Sequence, residues 1–290
     1  MGQGIGWFSR AWWLFRRAWV SAYEDNCFGI AKGVAYSALL SFVPILTTTT
    51  ALLVQANAES VSHVLSRLIF EVVPPGTEDI VMYSFATRGQ RPLWLLVTAG
   101  VVSLWAASGA MTSLMEGFRA AYRIPKGRPF LRERGIAILL VIGAAAPVLG
   151  ASILILLGGR VEQWTLTRLG LVRGGEQFWG WVGVMSRIGG YLTAFCSTTL
   201  VTALVYRFGP NHHERPMSVW PGAVAATAFW MAITSLFGWY VRNIANYNVL
   251  YGSVGATIAL LVWMYLLAVT ALVGCEVNAE RERLRQALGR

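Results

Sequence analysis

The sequence predicts an all-α, polytopic membrane protein, with six transmembrane helices in one bundle forming a single integral-membrane domain over residues 1–290. Three observations predict it. Only 13% of the residues are charged, against about a quarter in a soluble domain, while 56% are hydrophobic and the mean hydropathy is +0.53. Apolar runs long enough to cross hydrocarbon, about 20 residues of helix, recur along the whole chain. The basic residues are distributed unequally between alternate loops, as they are when a chain threads a membrane repeatedly.

Taken in order, residues 1–28 open with WFSRAWWLFRRAW, a mixture of large aromatics and arginines expected of an interfacial helix on the cytoplasmic face. Arg10, Arg16 and Arg17 interrupt its apolar character, so a cleavable signal peptide is not expected. The first span is expected over 33–56. Between 57 and 92, Val61, Val64, Leu65, Leu68 and Val72 share one helical face, which predicts an amphipathic cap on the outer side, broken at Pro74-Pro75-Gly76. Further spans are expected over 93–115, 135–159, 180–206, 216–241 and 249–275, with Trp94, Trp179, Trp181, Trp220 and Trp239 as interfacial anchors. Residues 276–290 would form a cytoplasmic tail. With this threading, sixteen arginines and lysines fall on the side of the termini and seven on the other. The positive-inside rule then places both termini in the cytoplasm.

The net charge of +10 would point to nucleic acid in a soluble chain, but here it is accounted for by topology-setting loops facing anionic headgroups. Cys27, Cys196 and Cys275 are scattered through apolar runs, with neither metal-ligand spacing nor a disulfide framework. Nuclease chemistry with a metal would need clustered histidines and carboxylates. Of the three histidines, His63 lies across the membrane from His212-His213, which read as a solvated turn beside Glu214. No metal, cofactor or catalytic residue is expected.

The stretch AYSALLSFVPILTTTTALL, Ala35 to Leu53, is the most unusual. Pro44 lacks an N–H, so the Leu40 carbonyl loses its helical donor, and at membrane depth that vacancy must be served by a neighbouring helix, a hydroxyl or water. Two readings stay open: a kink held by close packing, or a bent helix lining a polar cavity. Pro147 repeats the pattern in the third span. On the second reading Pro44, Thr47, Thr48, Arg187, Asn248 and Tyr251 form a substrate path, with Arg187 able to hold a lipid phosphate in transit. Lys32, Glu116, Arg119, Glu276 and Asn278 then form a cytoplasmic gate, Glu116 and Arg119 being spaced to pair on one helix face. On the bland reading Lys32 and Arg187 snorkel to the headgroups, the helix-end charges are a structural salt-bridge cluster, and Asn248 caps a helix. Small residues at four-residue spacing (Gly29, Gly33, Ser37; Ala31, Ala35; Gly252, Ala256) predict close helix approach.

The closing segment NYNVLYGSVGATIALLVWMYLLAVTALVGCEVNAE resembles the signature of the YihY/BrkB family of bacterial inner-membrane proteins. GIAKGVAYSALLSFVPIL, WAASGAMTSLMEGFRAAYRI and WPGAVAATAFWMAITSLFGWY are similar to its first, second and fifth helices, so the resemblance covers almost the whole chain. It implies six spans, cytoplasmic termini and the bacterial inner membrane. Family members have carried the label ribonuclease BN, a misassignment; others are called serum-resistance or virulence factors, and one branch is linked to export of lipopolysaccharide precursors. The resemblance therefore implies a transporter or flippase-like protein for an amphipathic lipid or glycolipid of the cell envelope. The alternative is a non-transporting membrane scaffold, with a membrane-bound nuclease the weakest reading. Expected partners are membrane lipids, anionic phospholipid or glycolipid, and no nucleic acid; a homo-oligomer or an envelope-protein partner stays open.

Overall fold

A computed structural model of the chain describes residues 7–55, 93–125, 127–168, 176–211, 218–243 and 252–289. Among the described residues there are seven α-helices and no strand: α1 (Trp7–Glu24), α2 (Cys27–Gln55), α3 (Leu93–Ala121), α4 (Phe130–Arg168), α5 (Glu176–Phe208), α6 (Trp220–Asn243) and α7 (Gly252–Leu288). Five contain stretches long and apolar enough to cross a membrane: Cys27–Leu46, Val97–Ala121, Ile188–Phe208, Trp220–Val241 and Val254–Leu288. The protein is thus a multi-pass membrane protein. The span expected over 135–159 lies inside α4, which is not among these five. The cap expected over 57–92 lies outside the described residues.

Helices α2 to α7 pack in a closed circuit, each against the next, with α7 returning to α2. Helix α7 also touches α3 and α1, so it has the most neighbours and the most buried surface of the five apolar spans. Its small residues Ala256, Ala259 and Ala268 are buried, and so is the entire run Leu272–Glu280. The expected tail is therefore a continuation of α7 as far as Leu288. We call the end of the bundle where α1 meets this continuation the base.

Close approach is achieved by glycines other than those whose spacing stood out. Gly33 is exposed, and a Cβ placed on it would meet nothing within 4 Å, while Gly29 leaves room for the side chain of Asn26 at the α1–α2 corner. The buried stripe of α2 is Ala31, Val34 and Ala35. The tightest crossing is between α6 and α7, where a Cβ on Gly222 would strike the Gly274 carbonyl. One on Gly274 would stand 2.6 Å from both Ala226 Cβ and the Tyr206 hydroxyl.

Two residues with left-handed backbone turn the corners of the base: Asn26 (φ 55°) between α1 and α2, and Arg123 (φ 52°) after α3. At the second, Ile124 N–H donates to the Arg119 carbonyl at 3.0 Å and Arg123 N–H to that of Ala120 at 2.9 Å, a Schellman ending that usually takes glycine. Pro44 and Pro147 both lie inside unbroken helices. The α6–α7 contact yields a prediction: Gly222→Ala or Gly274→Ala overpacks the crossing and costs about 1–3 kcal/mol, lowering the thermal midpoint in detergent, whereas Gly33→Ala leaves it unchanged or higher.

Candidate functional site

The base is a polar core built on three alternate positions of α7. Glu276 is 0% exposed, Asn278 1% and Glu280 2%, so each must find partners or pay heavily for desolvation. Glu280 accepts from Arg17 Nε at 2.7 Å, from Ser21 Oγ at 2.8 Å and from Arg283 Nη1. Both Arg17 and Ser21 belong to α1, so this one carboxylate docks α1 against the bundle. Asn278 works on the other side: its Oδ1 accepts from Gly222 N–H at 2.8 Å and its Nδ2 donates to the Val219 carbonyl at 3.0 Å. An α6 first-turn N–H without an intrahelical acceptor is thereby capped from α7. Glu276 accepts only the weak Sγ–H of Cys27 at 3.7 Å; its Oε2 has no hydrogen-bond partner and stands 3.9 Å from Arg283 Nη1.

Arg283 gathers the rest. It bonds Glu280, approaches Asp25 at 3.6 Å and donates through Nη2 to the Ala121 carbonyl at the end of α3. Arg123 meets Asp25 at 3.1 Å and Glu24 at 3.7 Å, and the hydrogen bond from Arg123 to Asp25 raises the arginine's pKa above its ordinary value. The strained backbone of Arg123 thus places a guanidinium where the α1–α2 corner offers two carboxylates. Beside this network lies a cavity of about 460 Å³, lined among others by Arg16, Arg17, Arg123, Arg283 and Trp13.

A second hollow, of about 350 Å³, lies between α4 and α5. Ile136, Leu139, Leu140, Gly143 and Ala144 form one wall, and Leu204, Val205 and Phe208 the other. Arg128 closes one end, its guanidinium donating to the carbonyls of Phe208, Gly209 and Pro210 at 2.8–3.2 Å. Burial lowers its pKa from the ordinary value, yet an arginine stays charged. Pro147 deprives the Gly143 carbonyl of its i+4 donor, and a side chain added at Gly143 would meet nothing within 4 Å. This wall therefore offers a backbone acceptor and room beside it. Higher on the same interface, Ser197 Oγ donates to the Pro147 carbonyl at 2.8 Å.

The residues expected from sequence distribute as follows. Thr48 Oγ1 is 2.7 Å from Ser103 Oγ, which itself donates to the Ala99 carbonyl, so the threonine is served by contact between α2 and α3. Pro44 is half-buried in α2. Thr47 and Arg187 lie in α2 and α5 with side chains outside the described set, and Asn248 and Tyr251 lie outside the described residues. Lys32 and Glu116 are exposed. Arg119 turns away from Glu116 to Glu133 of α4, reaching both carboxylate oxygens at 2.7 Å. The buried Glu133 carboxylate outweighs an exposed partner on the same helix, because charge pairs strengthen where water is excluded. Glu276 and Asn278 are brought together with Arg283 and Glu280 at the base, while Arg119 joins the neighbouring α3–α4 seam. Sequence reasoning missed Arg17, Ser21 and Arg283 as partners and counted Arg134 only as loop charge. Arg134 in fact lies over the Trp105 ring, 4.2 Å from its centroid, and donates to the Trp105 carbonyl at 2.7 Å. The four-residue spacing of Glu276 and Glu280, with Arg283 three positions further on, was the available signal, since it puts all three on one helical face.

A family model described as virulence factor BrkB matches residues 18–290. The ribonuclease-like protein YfkH of Bacillus subtilis (strain 168) is 29% identical over 252 residues, covering 85% of this chain and 86% of its own. A UPF0761 membrane protein of Alkalilimnicola ehrlichii is 27% identical over 258 residues, 87% of this chain and 54% of its own. Another, of Xanthomonas campestris pv. campestris (strain B100), is 26% identical over 277 residues, 93% and 61%. The chain thus spans between about half and two-thirds of the length of these two UPF0761 relatives. No solved structure matches. The chain belongs to the BrkB family. Among the described residues no group of histidine, cysteine or acidic side chains could hold a metal ion.

The base carries its own prediction. Glu280→Ala leaves Arg17 and Arg283 without their shared acceptor and costs about 1–3 kcal/mol, since Arg17 is half exposed and Arg283 keeps Asp25 and the Ala121 carbonyl, whereas Glu280→Gln, which keeps the shape, costs less. Thermal unfolding in detergent, with limited proteolysis between α1 and α2 reporting release of α1, checks it.

Proposed function

We propose that this BrkB-family chain sits in the bacterial inner membrane with base and termini in the cytoplasm, and moves, or helps move, an amphipathic lipid or glycolipid between leaflets. The observation that carries the reading is the hollow between α4 and α5. Its walls are apolar, as an acyl chain requires, and a fixed cation stands at one end, as an anionic headgroup requires. Leu139 and Phe208 at its rim are exposed on the bundle surface, which is where lipid would enter. With α4 counted as a span, the six helices α2 to α7 cross the membrane and α1 lies along the headgroups, exposing Trp12, Trp13, Trp19 and Tyr23. A polar path past Pro44, Thr47, Thr48 and Arg187 toward Asn248 and Tyr251 would require Thr48 to part from Ser103. Lys32, Glu116, Arg119, Glu276 and Asn278 would act as its cytoplasmic gate through exchange of partners. A membrane-bound nuclease, which the ribonuclease-like name of one relative suggests, stays the weakest reading.

A scaffold for envelope assembly is the second reading, favoured by the Thr48–Ser103 contact and by the density of the base. Leaflet exchange of fluorescent phospholipid in vesicles separates the two. We expect exchange by the wild type and its reduction about tenfold by Gly143→Trp, which fills the hollow without a clash at Cβ, an effect of about 1.4 kcal/mol on the barrier. Gly33→Trp, on an open exposed face, should leave it unchanged. Wild-type protein that exchanges no anionic lipid would favour the scaffold.

A further inference from the structure

The cavity at the base, distinct from the α4–α5 hollow, has no role in the proposed path. It is bounded by α1 on one side and by the α3–α4 corner and the end of α7 on the other. Its four arginines differ in what they have left to offer. Arg283 is committed to Glu280, Asp25 and the Ala121 carbonyl. Arg17 uses only Nε on Glu280, and its guanidinium carbon stands 5.3 Å from the centroid of the Trp13 ring, so among the described residues its two terminal nitrogens make no hydrogen bond. Arg123 is held through Nε to the Asp25 carboxylate, with only a long, exposed contact to Glu24. Arg16 makes no ion pair or hydrogen bond among the described residues. Two carboxylates, Glu24 and Glu280, line the cavity, and Glu280 is saturated by three donors. The unused hydrogen-bonding capacity of the cavity wall is therefore almost all cationic donor, held in planar forks that match a tetrahedral oxyanion.

We infer that this cavity binds a phosphate group, gripped by Arg16 and the free faces of Arg17 and Arg123, and that the phosphate belongs to an anionic lipid headgroup. The lipid source follows from the surroundings. Helix α1 turns Phe15, Ala18 and Ala22 inward and exposes Trp12, Trp13, Trp19 and Tyr23 along its length, the aromatic pattern of an element lying at headgroup depth. Trp13 serves both purposes, as an exposed anchor and as the face under Arg17. This inference rests on the lipid-handling reading for the identity of the ligand but concerns a different site, and it makes its own demand: a binding stoichiometry and a preference for anionic over zwitterionic lipid.

The test uses the full chain purified in a neutral detergent, with native mass spectrometry counting retained phosphatidylglycerol against phosphatidylcholine. Wild type should keep phosphatidylglycerol preferentially. Arg16→Gln and Arg17→Lys should each lower that retention about five-fold at low salt, as expected for loss of one cation, or of one fork, at a lipid phosphate. Arg285→Gln removes the same charge from an exposed position outside the cavity and should change it less than about two-fold. Glu24→Gln, which removes the one unsaturated carboxylate of the wall, should raise retention, a gain that misfolding cannot produce. Displacement of the lipid by excess inorganic phosphate would keep the phosphate chemistry but overturn the lipid assignment in favour of the free ion, and resistance supports the lipid. Equal losses in Arg285→Gln and Arg16→Gln, or no gain in Glu24→Gln, would overturn the site in favour of diffuse attraction to a basic surface. Because retention is read without transport, intact binding alongside absent leaflet exchange would sink the proposed function and leave this site standing.

Discussion

Burial of Glu276, Asn278 and Glu280 within one and a half turns of α7 is the constraint from which the arrangement of the base follows. A helix with such a stretch at its end would normally let it fray into water. Here the stretch is covered, and a covered carboxylate without partners is among the most destabilising things a fold can contain. The neighbours are therefore dictated. Glu280 needs donors from the side α1 approaches, and Arg17 and Ser21 supply them on one helical face. Asn278 needs a donor and an acceptor together, and the opening turn of α6 presents both, the Gly222 N–H and the Val219 carbonyl, which also accepts from Ala223 N–H. That Gly222 must lack a side chain is a consequence of the same contact, because the Asn278 amide occupies the space a Cβ would take.

Arg283 extends the constraint to the remaining corner. Its guanidinium joins three carboxylates and the last carbonyl of α3, so the end of α3, the α1–α2 corner and α7 are fixed to one another by a single planar group. Arg123 repeats the link from the other side at the cost of a left-handed backbone, which for a residue with a Cβ is about 1–2 kcal/mol. Glycine would remove that strain and with it the ion pair to Asp25. The position is thus better explained by what its side chain holds than by what its backbone prefers.

The helical, multi-pass architecture was legible because the bilayer leaves the backbone few options, and apolar runs of sufficient length declare themselves. Boundaries were less so: α2 begins at Cys27 and α7 runs to Leu288, because tertiary cover by α1 lets polar residues stay helical where hydropathy alone ends a span. Glu276 and Asn278 stood out by composition, but their surroundings did not. Arg17 and Ser21, which hold the neighbouring Glu280, lie some 260 positions away in sequence, and nothing local distinguishes a topology-setting arginine from one committed to a buried carboxylate. Arg119 illustrates the same limit. The i,i+3 rule offered Glu116, and the fold supplied a better-buried acceptor on another helix. Of the small-residue stripes, Ala31 with Ala35 and the stripe through Ala256 are buried, whereas Gly33 is exposed, since spacing identifies a face able to pack closely without saying whether a partner meets it.

The unequal distribution of polar contacts around the helical circuit bears on where such a bundle can open. The α3–α4 seam is held by Arg119 with Glu133 and by Arg134 on Trp105. The α6–α7 seam is locked by Asn278 and by glycine contacts with no slack. Tyr206 ties α5 to the Ala271 carbonyl of α7, and α2 meets α3 through Thr48 and Ser103. Between α4 and α5 the walls of the hollow are apolar, and the described polar bonds are those of Arg128 at its end and Ser197 further along. An apolar surface parted in lipid is re-covered by acyl chains at little cost, whereas a parted ion pair or amide contact is not. The helix on one side of this seam carries Pro147, and that on the other carries Gly189-Gly190, so both have positions where bending sacrifices fewer backbone bonds or less packing than elsewhere. A separation confined to this seam would leave the base intact, and on the proposed lipid-handling reading Arg128 would be the fixed cation at its end.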